Sequence, residues 1–280
     1  MLAQWDCFLK NLGEWHGSFT RFSPQGKEIA NTPTVVTLEG LNNRQNVHLV
    51  VRYLPPDEPP REVVVDSNAD SLDRSTLFFE NGAFSRGGIE WTPSGAFGGE
   101  FGLIDNDFGD GSRRLRMVEL YNSSSKLERV VLIREKLPHS KIPERPTLTL
   151  DSLLGEWQGE GVTLYGDARN PSEFSSYLQI KRKDSNYIEQ RLSFGDRTIS
   201  SSARLEGSRL LFEESKLPTQ IILLPDGASC NCPLEVKLGN NFVLEMGWLL
   251  QPNIRQRIMR SYNHEGKWVS CTFVTERKVV

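Results

Sequence analysis

No stretch of the chain is apolar for long enough to cross a bilayer as a helix, so no membrane span is expected. The first residues, Met1-Leu2-Ala3-Gln4-Trp5-Asp6, lack a basic leader and carry an early acid. They do not read as a secretory signal, and a cytoplasmic protein is expected. An excess of one charge is lacking as well. The 33 Lys and Arg nearly cancel the 36 Asp and Glu, leaving a net charge of −3, so neither a nucleic-acid partner nor a polyacidic tail is expected. Cysteine is scarce: four in 280 residues cannot make a disulfide framework. Cys7 and Cys271 stand alone, and Cys230 and Cys232 form a Cys-x-Cys that a strand would present on one face. A metal site there needs two more ligands, and His16, His48, His139 and His264 show no ligand spacing. No metal is expected, and the four thiols read as reduced. Catalytic triads, phosphate loops and dinucleotide-binding glycine patterns are missing too. What is present, 38% hydrophobic and 25% charged residues, is the composition of a globular chain rather than a disordered one.

The chain contains itself twice. Leu12-Gly13-Glu14-Trp15-His16-Gly17 recurs as Leu154-Gly155-Glu156-Trp157-Gln158-Gly159. Ser75-Thr76-Leu77-Phe78-Phe79-Glu80 recurs as Ser208-Arg209-Leu210-Leu211-Phe212-Glu213, and Pro93-Ser94-Gly95-Ala96 as Pro225-Asp226-Gly227-Ala228. Arg114-Leu115-Arg116-Met117-Val118-Glu119-Leu120-Tyr121-Asn122 recurs as Arg255-Gln256-Arg257-Ile258-Met259-Arg260-Ser261-Tyr262-Asn263. Each copy closes on Glu135-Lys136 or Glu276-Arg277. Matches in one order at slowly varying offsets mean tandem duplication. Pro138, Pro143 and Pro146 mark the seam, because proline cannot donate to a sheet ladder. Residues 1–138 and 147–280 are the expected domains, joined by a linker at 139–146.

Helical periodicity is confined to the start, where Leu2, Trp5, Phe8, Leu9 and Leu12 suggest one short amphipathic helix. The rest reads as short strands between turns such as Asn81-Gly82, Asp226-Gly227 and Glu265-Gly266. An all-β fold follows. Strand counting leaves a sandwich and a closed barrel as alternatives. Closure removes exposed sheet edges, and a barrel of about eight strands has room inside for side chains or one small ligand.

A helical turn followed by Gly-x-Trp on the first strand, with a basic residue on the last strands, resembles the lipocalin-like (calycin) barrels. Gly13-Glu14-Trp15 and Gly155-Glu156-Trp157 carry that motif twice. The resemblance implies two tandem antiparallel barrels. In each, the tryptophan (Trp15 or Trp157) plugs the floor beneath an arginine, Arg116 in the first copy. Such a cation–π contact is worth about 0.5–2 kcal/mol. The segment from Leu244 to Arg257, followed by Gly266-Lys267-Trp268 and Phe273-Val274-Thr275-Glu276-Arg277, resembles the end of the S-type phycobiliprotein lyases. Those barrels hold an open-chain tetrapyrrole (a bilin) and deliver it to an antenna protein. The similarity covers about 35 residues of the second copy. An uncharacterised two-barrel calycin family of cyanobacteria and plastids shares the double layout.

On a strand, Arg255, Arg257 and Met259 project to one face and Ile254, Ile258 and Tyr262 to the other. Paired arginines suit an anionic group such as a bilin propionate or a fatty-acid carboxylate. Trp248 and Tyr262 offer flat apolar surface to a conjugated ligand. Glu245 suits pyrrole nitrogens, although its parity differs from that of Trp248 unless Gly247 forms a bulge. In the first copy Leu103 stands where Trp248 does. The acidic loop Asp105-Asn106-Asp107-Phe108-Gly109-Asp110-Gly111 there lacks the ligand order of a calcium loop.

Three functions fit. The first is binding of a small apolar, partly anionic ligand, such as a bilin, in the second barrel. The second is a bilin lyase acting with a phycobiliprotein. The third is an interaction scaffold whose barrels are filled by side chains.

Overall fold

The computed structural model describes residues 3–92, 97–106, 109–167 and 169–279. Leu2 of the helical pattern, Pro93 to Ala96 of the repeat, and Asp107 and Phe108 of the acidic loop lie outside them.

Helix α1 (Gln4–Phe8) and a following 3-10 turn lay Trp5, Phe8, Leu9 and Leu12 against Trp15, Val36, Leu38 and Val47. Nine strands follow: β1 (Gly13–Phe22), β2 (Glu28–Leu41), β3 (Asn46–Tyr53), β4 (Arg61–Asn68), β5 (Thr76–Phe78), β6 (Phe84–Gly87), β7 (Phe97–Ile104), β8 (Arg113–Tyr121) and β9 (Leu127–Lys136). They form one curled antiparallel sheet in the order β4-β3-β2-β1-β9-β8-β7-β6-β5. The second copy repeats the plan. After α2 (Leu150–Leu153) come β10 (Gly155–Leu164), β11 (Ser172–Arg182), β12 (Tyr187–Phe194), β13 (Arg197–Glu206) and β14 (Arg209–Phe212). The remaining strands are β15 (Thr219–Leu223), β16 (Ala228–Pro233), β17 (Phe242–Gln251), β18 (Ile254–Tyr262) and β19 (Trp268–Lys278). These ten close into a barrel in sequence order. In both copies the entry from helix to first strand is a glycine at positive φ, Gly13 at 141° and Gly155 at 116°, a conformation that side chains with a Cβ avoid.

One strand separates the closed sheet from the open one. The recurring segments match β5 with β14, β8 with β18 and β9 with β19, so the extra strand lies in the stretch before β17. There β15 pairs with β16 and β16 with β17, whereas β6 pairs directly with β7. With nine strands the first sheet leaves β4 and β5 as its two edges, while their counterparts β13 and β14 are hydrogen-bonded to each other.

The two sheets share a core. Phe101, Leu103, Met117 and Tyr121 from β7 and β8 pack on Leu244, Met246, Trp248, Ile258 and Tyr262 from β17 and β18. Trp91 meets Tyr121 edge-on at 5.0 Å and Phe242 at 5.2 Å, and Phe242 stacks on Tyr262 at 4.7 Å. Strands at this junction are apolar on one face for the neighbouring repeat and enclosed on the other by their own lumen. Near-continuous burial along β17 is the result. The proline-rich segment between the sheets is tied down rather than free. Arg145 N donates to Asp226 Oδ1 (2.6 Å), Gly227 N to Pro146 O (2.9 Å) and Leu148 N to Leu224 O (3.0 Å). Arg145 also reaches Asp105 Oδ2 of the first repeat at 3.2 Å.

Candidate functional site

Alternation along β17, β18 and β19 sends Glu245, Arg255, Arg257 and Glu276 into the lumen of the second barrel. Arg255 Nε donates to Glu276 Oε2 at 2.6 Å, Arg257 Nη2 to Glu276 Oε1 at 2.7 Å, and Arg257 Nη1 to Glu245 Oε2 at 3.1 Å. Two guanidinium groups are thus matched by two carboxylates. The first repeat builds the same network from equivalent positions. Arg114 Nε donates to Glu135 Oε2 at 2.8 Å, Arg116 Nη2 to Glu135 Oε1 at 2.8 Å, and Arg116 Nη1 to Glu100 Oε1 at 3.1 Å.

Burial is the largest influence on the four arginines and on Glu135 and Glu276, and it opposes charge. For Glu135 and Glu276 the two adjacent arginines more than offset it and hold the carboxyls below their ordinary range. For Arg116 and Arg257 the two glutamates likewise outweigh burial and raise the guanidinium, whereas burial prevails at Arg114 and Arg255 and lowers it. Breaking one partner of such a buried network leaves uncompensated charge and costs about 3–5 kcal/mol.

The floor of each repeat is the tryptophan of Gly-x-Trp. Trp15 Nε1 donates to Asn11 O (3.0 Å) and Trp157 Nε1 to Leu153 O (2.9 Å), so each indole caps the helical turn before it. Arg114 lies over the Trp15 ring at 4.4 Å, and Arg255 over Trp157 at 5.2 Å with Lys278 Nζ at 5.1 Å. The first arginine of each Arg-x-Arg is therefore the floor residue. Arg116, expected over Trp15, stands one step further along the lumen, 5.5 Å from the Phe19 ring.

Of the residues expected to line a ligand site, Glu245, Arg255 and Arg257 come together, and Trp248 and Tyr262 do not join them. Trp248 points out of the barrel into the inter-repeat core, fully buried, with its Nε1 on Asp226 O (2.9 Å) and Arg145 over its ring at 4.4 Å. The Tyr262 hydroxyl donates to Gly88 O of the first repeat (2.9 Å) and accepts from Arg260 Nε (2.8 Å). No bulge occurs at Gly247. The β17–β18 register runs unbroken from Phe242 to Leu249 and shifts only between Leu249 and Gln251, so Glu245 and Trp248 keep opposite faces. Gly247 instead makes room for the Ser229 hydroxyl, which a Cβ would strike. Cys271 lies in the inter-repeat core, where burial pushes its thiol up to about 12.

Sequence reasoning passed over Glu135 and Glu276 as functional residues. The signal was their recurrence at the same place in both copies, since a buried Arg-x-Arg needs carboxylates. Away from its floor the second barrel opens to solvent. Leu192 and Phe194 are half-buried, Ile199 is 51% exposed, and the buried Ser176 and Ser201 hydroxyls have no hydrogen-bond partner. A separate cleft of ≈ 300 Å³ lies outside the floor, between Arg145, Leu148, Leu249 and Lys278.

The comparisons with known proteins follow the two halves. Residues 1–140 match the family model for the N-terminal domain of unknown function DUF3598. Residues 144–279 match the model described as biogenesis factor required for ATP synthase 1, C-terminal domain. A crystal structure of a DUF3598 protein of unknown function from Nostoc punctiforme superposes with a TM-score of 0.92 at 44% identity over 100% of both chains. An S-type phycobiliprotein lyase from Guillardia theta superposes with a TM-score of 0.33 at 14% identity, covering 46% of this chain and 90% of that one. A putative outer membrane protein from Bacteroides fragilis gives a TM-score of 0.27 at 11% identity over 97% and 99%. Neither of these last two carries a functional argument. None of the curated proteins matches. By the match to its first half and the full-length 44% identity, the chain belongs to the DUF3598 family.

Proposed function

We propose that the protein is an interaction scaffold that takes part in assembling the ATP synthase, holding an extended segment of a synthase subunit on its open first sheet. The observation that carries this reading is the open edge of the first sheet, where β4 and β5 do not pair as their counterparts β13 and β14 do. Edge strand β4 offers unpaired backbone groups along eight residues, and its centre is apolar and open: Val63, Val64 and Val65 are 44%, 51% and 45% exposed. Flanking charges are already engaged, Arg52 with Glu62, His48 with Asp66, and Arg61 over Tyr53. An occupant with an apolar centre fits such an edge by strand addition. Support for the synthase as partner comes from the description of the family that matches residues 144–279. The lumen arginines support a scaffold over an anion carrier, since Glu245 and Glu276 already neutralise them. The test is titration of the full chain with isolated soluble subunits of the synthase, followed calorimetrically. One subunit is expected to bind, and Val63→Lys with Val65→Lys to weaken it by about tenfold or more, because edge lysines block strand addition. Binding by none of the subunits would sink the reading.

A second reading, a small ligand in the second barrel, is favoured by the open mouth with its unpartnered Ser176 and Ser201 hydroxyls. Absorbance titration with free open-chain tetrapyrroles tests the bilin form of it. A spectral shift lost in Ser176→Val, with the fold intact, is the expected result, and an unchanged wild-type spectrum refutes it.

A further inference from the structure

Cys230 and Cys232 sit on β16, in the stretch where the second repeat has its extra strand, and both face the inter-repeat core. Glu119 reaches them from β8 of the first repeat. Cys230 Sγ is 3.5 Å from Glu119 Oε1 and 3.7 Å from Cys232 Sγ, and the ligand atoms of all three lie within 4.8 Å of one another. All three residues are fully buried, and Glu119 Oε2 has no hydrogen-bond partner. A carboxylate with an orphaned oxygen in an apolar core carries a desolvation cost that calls for an explanation.

The spacing supplies one. Zinc takes thiolates at about 2.3 Å and carboxylate oxygen at about 2.0–2.2 Å; a tetrahedral angle then sets S···S near 3.8 Å and S···O near 3.5–3.7 Å. The observed separations are those two edges. We propose that Glu119, Cys230 and Cys232 bind a thiophilic divalent cation of the zinc type, which staples the two repeats together. Two thiolates and a carboxylate against a divalent cation leave one negative charge. Arg260 is fully buried in the same core, and among the described residues its hydrogen bonds go to neutral groups: Ser75 O, Gly87 O, Gly88 O and the Tyr262 hydroxyl. It occupies in the second repeat the position that Glu119 holds in the first. The Tyr121 hydroxyl stands beside Cys232 and donates to Pro233 O at 2.8 Å.

Because the site is enclosed, the full chain is unfolded in urea under reductant and refolded with cobalt(II), which reports thiolate ligation by charge-transfer absorption. One equivalent is expected, displaced by zinc. Cys230→Ser and Cys232→Ser abolish the band, and Cys7→Ser and Cys271→Ser leave it unchanged. Glu119→Gln, nearly the same shape, keeps the fold by circular dichroism and weakens cobalt binding by about tenfold or more, at least the loss typical of a ligand's supporting partner. A refolded wild type without the thiolate band overturns the proposal. So does a band of equal intensity in Cys230→Ser, or equal affinity in Glu119→Gln.

Discussion

The two repeats agree inside and differ at the rim. Each lumen holds two arginines and two glutamates in the same hydrogen-bonding pattern, and each floor is a tryptophan capping a helical turn beneath the first arginine. Yet the second sheet closes with ten strands and the first stays open with nine. Duplication therefore kept the polar interior, which is costly to alter one residue at a time, and let the strand count drift. A buried ion network tolerates few single changes because every partner lost strands a charge. A strand gained or lost between β14 and β17 leaves that interior network untouched.

The comparison breaks first at the networks. Glu276→Gln and Glu135→Gln should each destabilise the protein by about 3–5 kcal/mol, since each carboxylate serves two arginines. Urea unfolding measures both losses, and markedly unequal values would mean that the networks are not equivalent. Trp15→Phe and Trp157→Phe keep a ring on the floor but lose the indole N–H bond and part of the cation–π contact. About 1–2 kcal/mol each is expected by the same measurement.

A pH series sharpens the likeness further. Glu135 and Glu276 are held below the ordinary 4.5, so their stabilisation is complete above that pH and is lost as pH falls through their folded values. Stability should drop on acidification below about pH 4.5, and less steeply in either Gln variant. The smallest effect probes the difference at the rim. Val64→Lys on the exposed edge should change stability by no more than about 0.5 kcal/mol. Hydrogen exchange should then find the amides of edge strand β4 faster than those of β13 around Arg204, where the strand is paired on both sides.

Much of this was legible beforehand. The recurrence of Gly-x-Trp and Arg-x-Arg announced two copies of one β unit, and alternation separated Arg255 and Arg257 from Ile258 and Tyr262. Parity alone does not say which face is the lumen. On β17 both faces are buried, one by the barrel and the other by the first repeat, so hydrophobicity could not tell the Glu245 side from the Trp248 side. The same ambiguity made Trp248 and Tyr262 look like ligand platforms, when Asp226 and Gly88 are their partners. Strand closure was equally hidden, because β4 reads as a strand whether or not a neighbour pairs with its outer edge.

Residue pattern by itself determined the duplication, the β architecture and the two faces of each strand, because these follow from short-range geometry with a period of two. Which face met which surface was decided only by the docking of one repeat on the other. That docking turned one set of alternate residues into a shared core and brought Glu119 to Cys230 and Cys232. Contacts between residues more than a hundred positions apart carry no signature in local spacing.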